Sequence, residues 1–575
     1  MNTQKKFAFA IVFLILFSIT ACSPGPENKI NFDPNAIRFD GTRAFDIESE
    51  FVTQFTNRHS GTDQNRLATE WLREQFTQSG WNCSFDEWEV INYSEPLKLR
   101  NVVCRLPGEI NEGRHEILVV AHHDQASTTI QGADNDGSGI AILLHLAEIF
   151  DAEKPLKYTL VFVATDAEEY GMLGSLRYIQ THPNTDDIIA GISLDNVGRE
   201  YYDSMNMELV GLSRKYGQIW FALTARDAAR AADGLWDVNL RAPIDQALDQ
   251  AVPISFMDQG PMVSAGVPAI GFTGGYPMEF SDEHYRLWHD PDDTMARQSP
   301  GSVGQSGAIT ETLIRQLLTM QEFPRESGPY LYFDESQQVF RGAPLWIIFI
   351  GFVGLFFLGS YLIGGRSLKE KLSAWRAVLP DFLGWWLPLV ASILLLYVFV
   401  AVGIMLEYDL YPATTKDPEI LNPNWLAITL FLLGLASFLF IGRRLARKYA
   451  GHIKSPSFKH TKSFALLIIG IVGIYILLVN PFSLLFIAPT LFWFLIQGRR
   501  GITKLIDIIL FLLGGLLVYA LIYQFGFQTL RYNFTFLWMF LMMFAIQMIG
   551  FGTALISTGV IAAGLMMIAN TSQNE

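Results

Sequence analysis

His122-His123-Asp124 closes one apolar run of the 575-residue sequence, Asp166-Ala167-Glu168-Glu169 closes a second, and Asp195-Asn196 closes a third. Two loops add Asp134, Asn135 and Asp136 ahead of Ser138-Gly139, and His289-Asp290 ahead of Asp292-Asp293-Thr294. Imidazole nitrogen and carboxylate oxygen with no thiolate at ligand spacing suit Zn2+ or a similar divalent ion. Several carboxylates in such a set fit a two-metal hydrolytic site. Singly, each element is ordinary: a His-x-Asp is usually a structural loop, paired glutamates a solvated helix start, an acidic turn plain surface. Their recurrence in order, at the ends of successive strands, carries the reading.

To converge, these clusters must hang from one edge of a sheet. Unbroken apolar strands read at residues 116–121, 158–164, 188–194 and 269–272, and helices at 66–78, 138–150, 173–181, 218–232 and 310–321. Apolar strands alternating with helices predict an α/β fold, a mixed, mostly parallel sheet covered by helices on both faces. Ligands of such sheets bind beyond the carboxyl ends of the strands, where the clusters fall.

In these motifs residues 45–322 resemble the zinc aminopeptidase family that includes bacterial leucyl aminopeptidases, glutamate carboxypeptidases and glutaminyl cyclases. The resemblance implies a zinc exopeptidase-like fold and peptide substrates. It makes His122 a metal ligand oriented by Asp124, Glu168 the general base, and Glu169, Asp195 and His289 further ligands; His284 competes with His289 but lacks the motif. Two zinc ions are expected, with one as the alternative. The sequence departs from the family at the residue that bridges the ions, where an aspartate is replaced by Asn135. Three outcomes stay open: a loop shift that lets Asp134 or Asp136 bridge, a single-metal hydrolase, or an inactive relative. Gln259 stands where many relatives carry a histidine lining the substrate pocket. The expected function is zinc-dependent aminopeptidase activity. The alternatives are a catalytically inactive receptor or scaffold and a single-zinc glutaminyl cyclase-like enzyme.

Half of the residues are hydrophobic and 17% are charged, which excludes disorder and exceeds the apolar content of an ordinary soluble enzyme. From residue 343 onward 16 basic residues face 8 acidic ones, so the net −14 divides into +8 there and −22 on residues 1–342. An acidic front half repels phosphates, and nucleic acid is not an expected partner. Apolar runs at 344–365, 382–406, 425–442, 464–479, 482–497, 505–523 and 534–569, the last long enough for two spans, predict an all-α transmembrane bundle of seven or eight helices. Basic loops around 366–376, 443–462 and 499–504 alternate with an acidic one at 407–419, which places the basic loops in the cytoplasm and the front half outside. Ionisable residues within spans are scarce, so an anchor or partner-binding bundle is expected rather than a transporter. The second helical half also gives the chain a layout similar to endoplasmic-reticulum metallopeptidase.

Residues 1–22 read as a secretory signal ending in Ile19-Thr20-Ala21-Cys22, which resembles a bacterial lipobox and implies lipidation at Cys22. An uncleaved anchor helix is the alternative. Cys83 and Cys104, in two strand-like runs, either pair in an oxidising compartment or stay as buried thiols. The expected organisation is a signal at 1–22, a linker at 23–44, the peptidase-like domain at 45–323, a linker at 324–343, the bundle at 344–569 and a tail at 570–575. The expected place is a bacterial inner membrane, with the peptidase-like domain on its periplasmic or extracellular side.

Overall fold

The computed structural model describes residues 22–24, 33–92, 95–110, 115–212, 215–232, 235–251, 255–277, 287–326, 328–341, 343–364, 367–405, 422–450, 457–496, 504–514, 535–545, 547 and 549–570. The signal-like residues 1–21, His284 and the loops at 406–421, 451–456 and 497–503 lie outside the described residues. The chain divides into two compact units, a front unit mainly of residues 16–342 and a back unit mainly of residues 343–575.

The strands of the front unit are β1 (Cys22–Pro24), β2 (Asn82–Asn92), β3 (Glu95–Leu106), β4 (Glu116–His122), β5 (Thr159–Thr165), β6 (Ile188–Leu194), β7 (Ser204–Glu208), β8 (Val238–Asn239), β9 (Ala269–Gly275), β10 (Tyr330–Phe333) and β11 (Gln338–Arg341). Its longer helices are α1 (Gly41–Gln54), α2 (Asp63–Gln78), α3 (Ser138–Asp151), α4 (Leu173–Thr181), α5 (Ile219–Ala232), α6 (Pro243–Ala251), α7 (Gln259–Ala265) and α8 (Pro300–Thr319). Eight strands form one sheet in the order β2-β3-β5-β4-β6-β9-β7-β8. β5, β4, β6 and β9 run parallel at its centre, with antiparallel pairs β3–β5 and β7–β9 at the flanks. Every residue of β4, β5 and β6 is buried, as a sheet covered on both faces requires.

Successive side chains of a strand point to opposite faces. Ile117 and Val119 therefore pack into a core shared with α1, α2, α3, α5 and α8, while Leu118 and Val120 pack with Tyr178 and Ile179 of α4 and Met262 and Val263 of α7. Each such side chain contributes on the order of 1.5–3 kcal/mol by burial. Helix α1, absent from the sequence-based expectation, is started by Asp40, whose carboxylate accepts from the Thr42 and Arg43 amides. Helix α8 begins at Pro300 rather than 310 because its first turns carry little apolar signal. Gly304 there meets the backbone of Gly41, and a Cβ on Gly307 would collide with Phe39. Cys83 and Cys104 face each other across the β2–β3 pair and form a disulfide.

The back unit contains eight helices among the described residues: α9 (Ala343–Ile363), α10 (Leu368–Ala401), α11 (Trp425–Ala450), α12 (Phe458–Val479), α13 (Ser483–Ile496), α14 (Lys504–Gly514), α15 (Thr535–Ala545) and α16 (Phe551–Asn570). Five of these, α9 to α12 and α16, are long and apolar enough to cross a membrane. Close approach of α10 and α11 rests on small residues, since a Cβ on Gly384 would meet Ala446 and one on Gly442 would meet Pro388. Asp381 of α10 accepts from Arg443 of α11 at 2.6 Å and from Asn570 of α16 at 2.7 Å. Among apolar helices a lone carboxylate is costly, and this one is paired.

Candidate metal centre

Strands β4 and β5 end in register, with His122 opposite Thr165, and β6 ends beside them at Leu194. The polar clusters that follow each strand are thereby gathered at one edge. Three non-glycine residues at this edge adopt left-handed backbone: Ala167 (φ 56°), Asn196 (φ 55°) and His289 (φ 53°). Ala167 precedes the paired glutamates, Asn196 follows Asp195, and His289 is itself a candidate ligand. Such conformations cost on the order of 1–3 kcal/mol each and persist where surrounding structure enforces them.

The candidate side chains form one continuous chain of contacts. Asp124 Oδ1 lies 3.2 Å from His122 Nδ1, His122 Nε2 lies 2.7 Å from Asn135 Oδ1, Asn135 Nδ2 donates to Glu169 Oε1 at 2.8 Å, and Glu169 Oε2 lies 2.9 Å from His289 Nε2. Asp195 Oδ1 and Glu168 Oε2 approach the same His122 Nε2 at 3.7 Å and 4.0 Å. Donor atoms of His122, Glu168 and Glu169 all fall within 4.8 Å of one another, and all three residues are buried. Two imidazoles and several carboxylates at this spacing suit a zinc ion by donor chemistry. Behind them the Asp124 carboxylate accepts from the Glu168 and Glu169 amides, fixing the glutamate turn to the His122 ring.

The loop shows no one-residue shift. Asn135 itself occupies the middle of the set, and neither Asp134 nor Asp136 replaces it. Asp134 accepts from the Gly198 amide at 2.9 Å and the Tyr202 hydroxyl at 2.6 Å, and pairs with Arg199 at 3.2 Å. Asp136 accepts from the His122 amide at 3.2 Å and the Gly139 amide at 2.9 Å. The Asn135–Asp136 peptide is cis, and Gly132 before it is left-handed, with no room for a Cβ against the Asn135 carbonyl. Asp293 accepts from the Asp134 and Asn135 amides, joining this loop to the one that bears His289.

Burial pushes the Glu168 carboxyl well above the usual range; His122 opposes this, while Asp195, Glu169 and Asp258 add to it. A carboxyl so placed can hold a proton and pass it on. Burial lowers the proton affinity of His122, but hydrogen bonds to Asp124 and Asp195 outweigh it and raise the ring well above its ordinary value. Burial raises and His122 lowers Asp124, with a net fall. Asp258 is pushed up to about 7 by burial, against its bond from Thr165.

Gln259, the expected substrate-pocket residue, lies at the start of α7. It is fully buried, and its amide donates to Val210 O at 3.3 Å and Ser255 Oγ at 3.1 Å. Cys22 lies in β1, opposite Phe340. The sequence reading missed Arg199 and Tyr202, which follow Asp195 closely in the chain but whose burial no motif announces. It also missed Glu48, whose buried carboxylate oxygens have no hydrogen-bond partner among the described residues. Its position among Ala44, Ile47, Phe51 and Val52, on the buried face of α1, is the signal that was available.

Residues 101–314 match the family model described as "Peptidase family M28". The chain is 26% identical over 235 residues to the alkaline phosphatase isozyme conversion protein of Escherichia coli, covering 37% of this chain and 64% of that one. It is 33% identical over 173 residues to a probable zinc metalloprotease of Pyrenophora teres, covering 26% and 37%. It is 23% identical over 212 residues to aminopeptidase YwaD of Bacillus subtilis, covering 36% and 42%. The chain thus spans less than two thirds of each of these relatives. Among solved structures it is similar to Porphyromonas gingivalis glutaminyl cyclase (22% identity, 48% of this chain and 98% of that one, TM-score 0.42) and to a Bacillus subtilis zinc aminopeptidase (13% identity, 48% and 95%, TM-score 0.42).

Proposed function

With a front unit of the M28 peptidase type as premise, we propose that this protein is a membrane-anchored zinc exopeptidase that removes residues from the free N-termini of peptides. The observation that carries the reading is the buried Glu168 carboxyl, raised in proton affinity and within 4.0 Å of His122 in a set of imidazoles and carboxylates. His122, Glu169, Asp195 and His289 would hold zinc, which supplies Lewis acidity and a bound water of lowered pKa. Glu168 accepts the proton of the attacking water and returns it to the departing amine nitrogen. Asp124 keeps the His122 ring in place. The net −22 on residues 1–342 favours an ammonium-bearing peptide end over an anionic one.

The proposed setting is a bacterial inner membrane, with the front unit outside the cytoplasm and lipid on Cys22. The test of the chemistry is Glu168→Gln in the full-length protein, assayed against a panel of aminoacyl substrates. Zinc should stay bound while turnover falls by about 10²–10⁴-fold, the usual worth of a general acid–base group. Unchanged turnover would remove Glu168 from the mechanism, and no chelator-sensitive turnover in the wild type would favour a binding role for the unit.

A further inference from the structure

We infer that Asn135 restricts this centre to a single metal ion, and that the amide at this one position separates it from a two-ion centre. The inference rests on the peptidase reading and specifies its metal content. A carboxylate bridges two cations by giving one oxygen to each, whereas a carboxamide has one oxygen and an NH2 that can only donate. Here Oδ1 faces His122 Nε2 at 2.7 Å and Nδ2 faces Glu169 Oε1 at 2.8 Å, so the amide joins the two halves of the site by hydrogen bonds.

Among the described residues, no neighbouring carboxylate stands in for the missing second oxygen. The Asp134 carboxylate is engaged by Arg199, Tyr202 and the Gly198 amide, and the Asp136 carboxylate by the amides of His122 and Gly139. The buried Arg199 guanidinium, also 3.5 Å from Asp293, adds positive charge on that side.

The amide also suits the metal-free protein. A carboxylate in its place would lie beside Glu169 Oε1, like charge against like charge. The substitution Asn135→Asp should therefore destabilise the metal-free protein and increase the stabilisation that zinc confers.

The full-length protein in detergent, stripped with a chelator and reloaded with Zn2+, gives the test. Elemental analysis after desalting should find one zinc per chain in the wild type and two in Asn135→Asp. The zinc-induced rise in melting temperature should be larger in the variant, a readout independent of turnover. Two ions in the wild type, or one in a folded Asn135→Asp, would overturn the inference. If the variant does not fold, the wild-type count decides alone. No zinc at all in the wild type would overturn the peptidase reading together with this one.

Discussion

Replacing Arg199 with methionine tests the support beneath the metal centre. Arg199 is 2% exposed and lies 3.2 Å from Asp134, which ties the Asn135 loop to the segment after Asp195, and 3.5 Å from Asp293, which ties it to the His289 loop. Methionine fills similar space without charge and leaves both acids buried. Removing one partner of a buried ion pair costs about 3–5 kcal/mol. The surviving donors to Asp134 and Asp293 (the Tyr202 hydroxyl and three backbone amides) place the expected loss near the lower figure, about 3 kcal/mol. At about 2–4 °C per kcal/mol for a unit of this size, the melting temperature should fall by roughly 6–12 °C. The assay is thermal unfolding of the full chain in detergent with metal removed, so that ligand binding does not contribute. Its pH dependence carries the diagnosis. Asp293 already has a folded-state value of about 6, above its unfolded one, and loss of Arg199 raises it further. A raised carboxyl destabilises as pH rises through the folded value, so the deficit should be full above it and shrink as pH falls toward the ordinary carboxylate range. A drop under about 2 °C, or one equal at pH 5 and pH 8, would refute the electrostatic argument.

Glu48→Gln should leave stability near wild type at low pH and exceed it as pH rises through the raised folded-state value of Glu48, since burial and three nearby aspartates disfavour its charge; melting at a series of pH values checks this. Asp124→Asn should lower zinc affinity by about 10–100-fold through loss of ring orientation at His122, read by competition with a chelating dye. Cys83→Ser with Cys104→Ser should cost about 3 kcal/mol, because the disulfide closes a loop with a sequence separation of 21 residues; the same loss should follow reduction of the wild type. Ala167→Val should lower both stability and metal affinity, because a β-branched residue resists the φ of 56° required there, whereas Ala167→Gly should keep the centre intact.

The parts of the fold legible in the sequence were those set by periodicity. The central strands β4, β5 and β6 announce themselves as unbroken apolar runs because both of their faces are covered. Helix α3 is apolar and buried nearly all round, and α4 carries a buried stripe. The first half of α8 escaped notice because it packs by backbone proximity, with Gly304 and Gly307 where larger apolar residues would signal a helix. In the site, residues at strand ends could be read because topology fixes where strands end. The direction of each side chain within the Asp134–Asp136 loop could not, since it depends on Arg199, Tyr202 and Asp293 arriving from distant segments. Gln259 illustrates the same limit, because its position beside Asp258 is a matter of sequence while its burial beneath the surface is a matter of packing.

The three-stranded sheet of the front unit has a mechanical meaning. β1 pairs antiparallel with β11 through Cys22–Phe340, Ser23–Val339 and Pro24–Gln338, and the chain then runs on into α9 at Ala343. Entry and exit of the unit are therefore neighbouring strands about 4.8 Å apart. Tension between these two ends opens a three-pair ladder from its end, one pair at a time, as a zipper opens. That ladder belongs to a sheet separate from the eight-stranded one that carries the candidate metal ligands. A ladder of three pairs opened from its end is expected to act as a fuse, yielding at lower force than the longer ladders of the eight-stranded sheet.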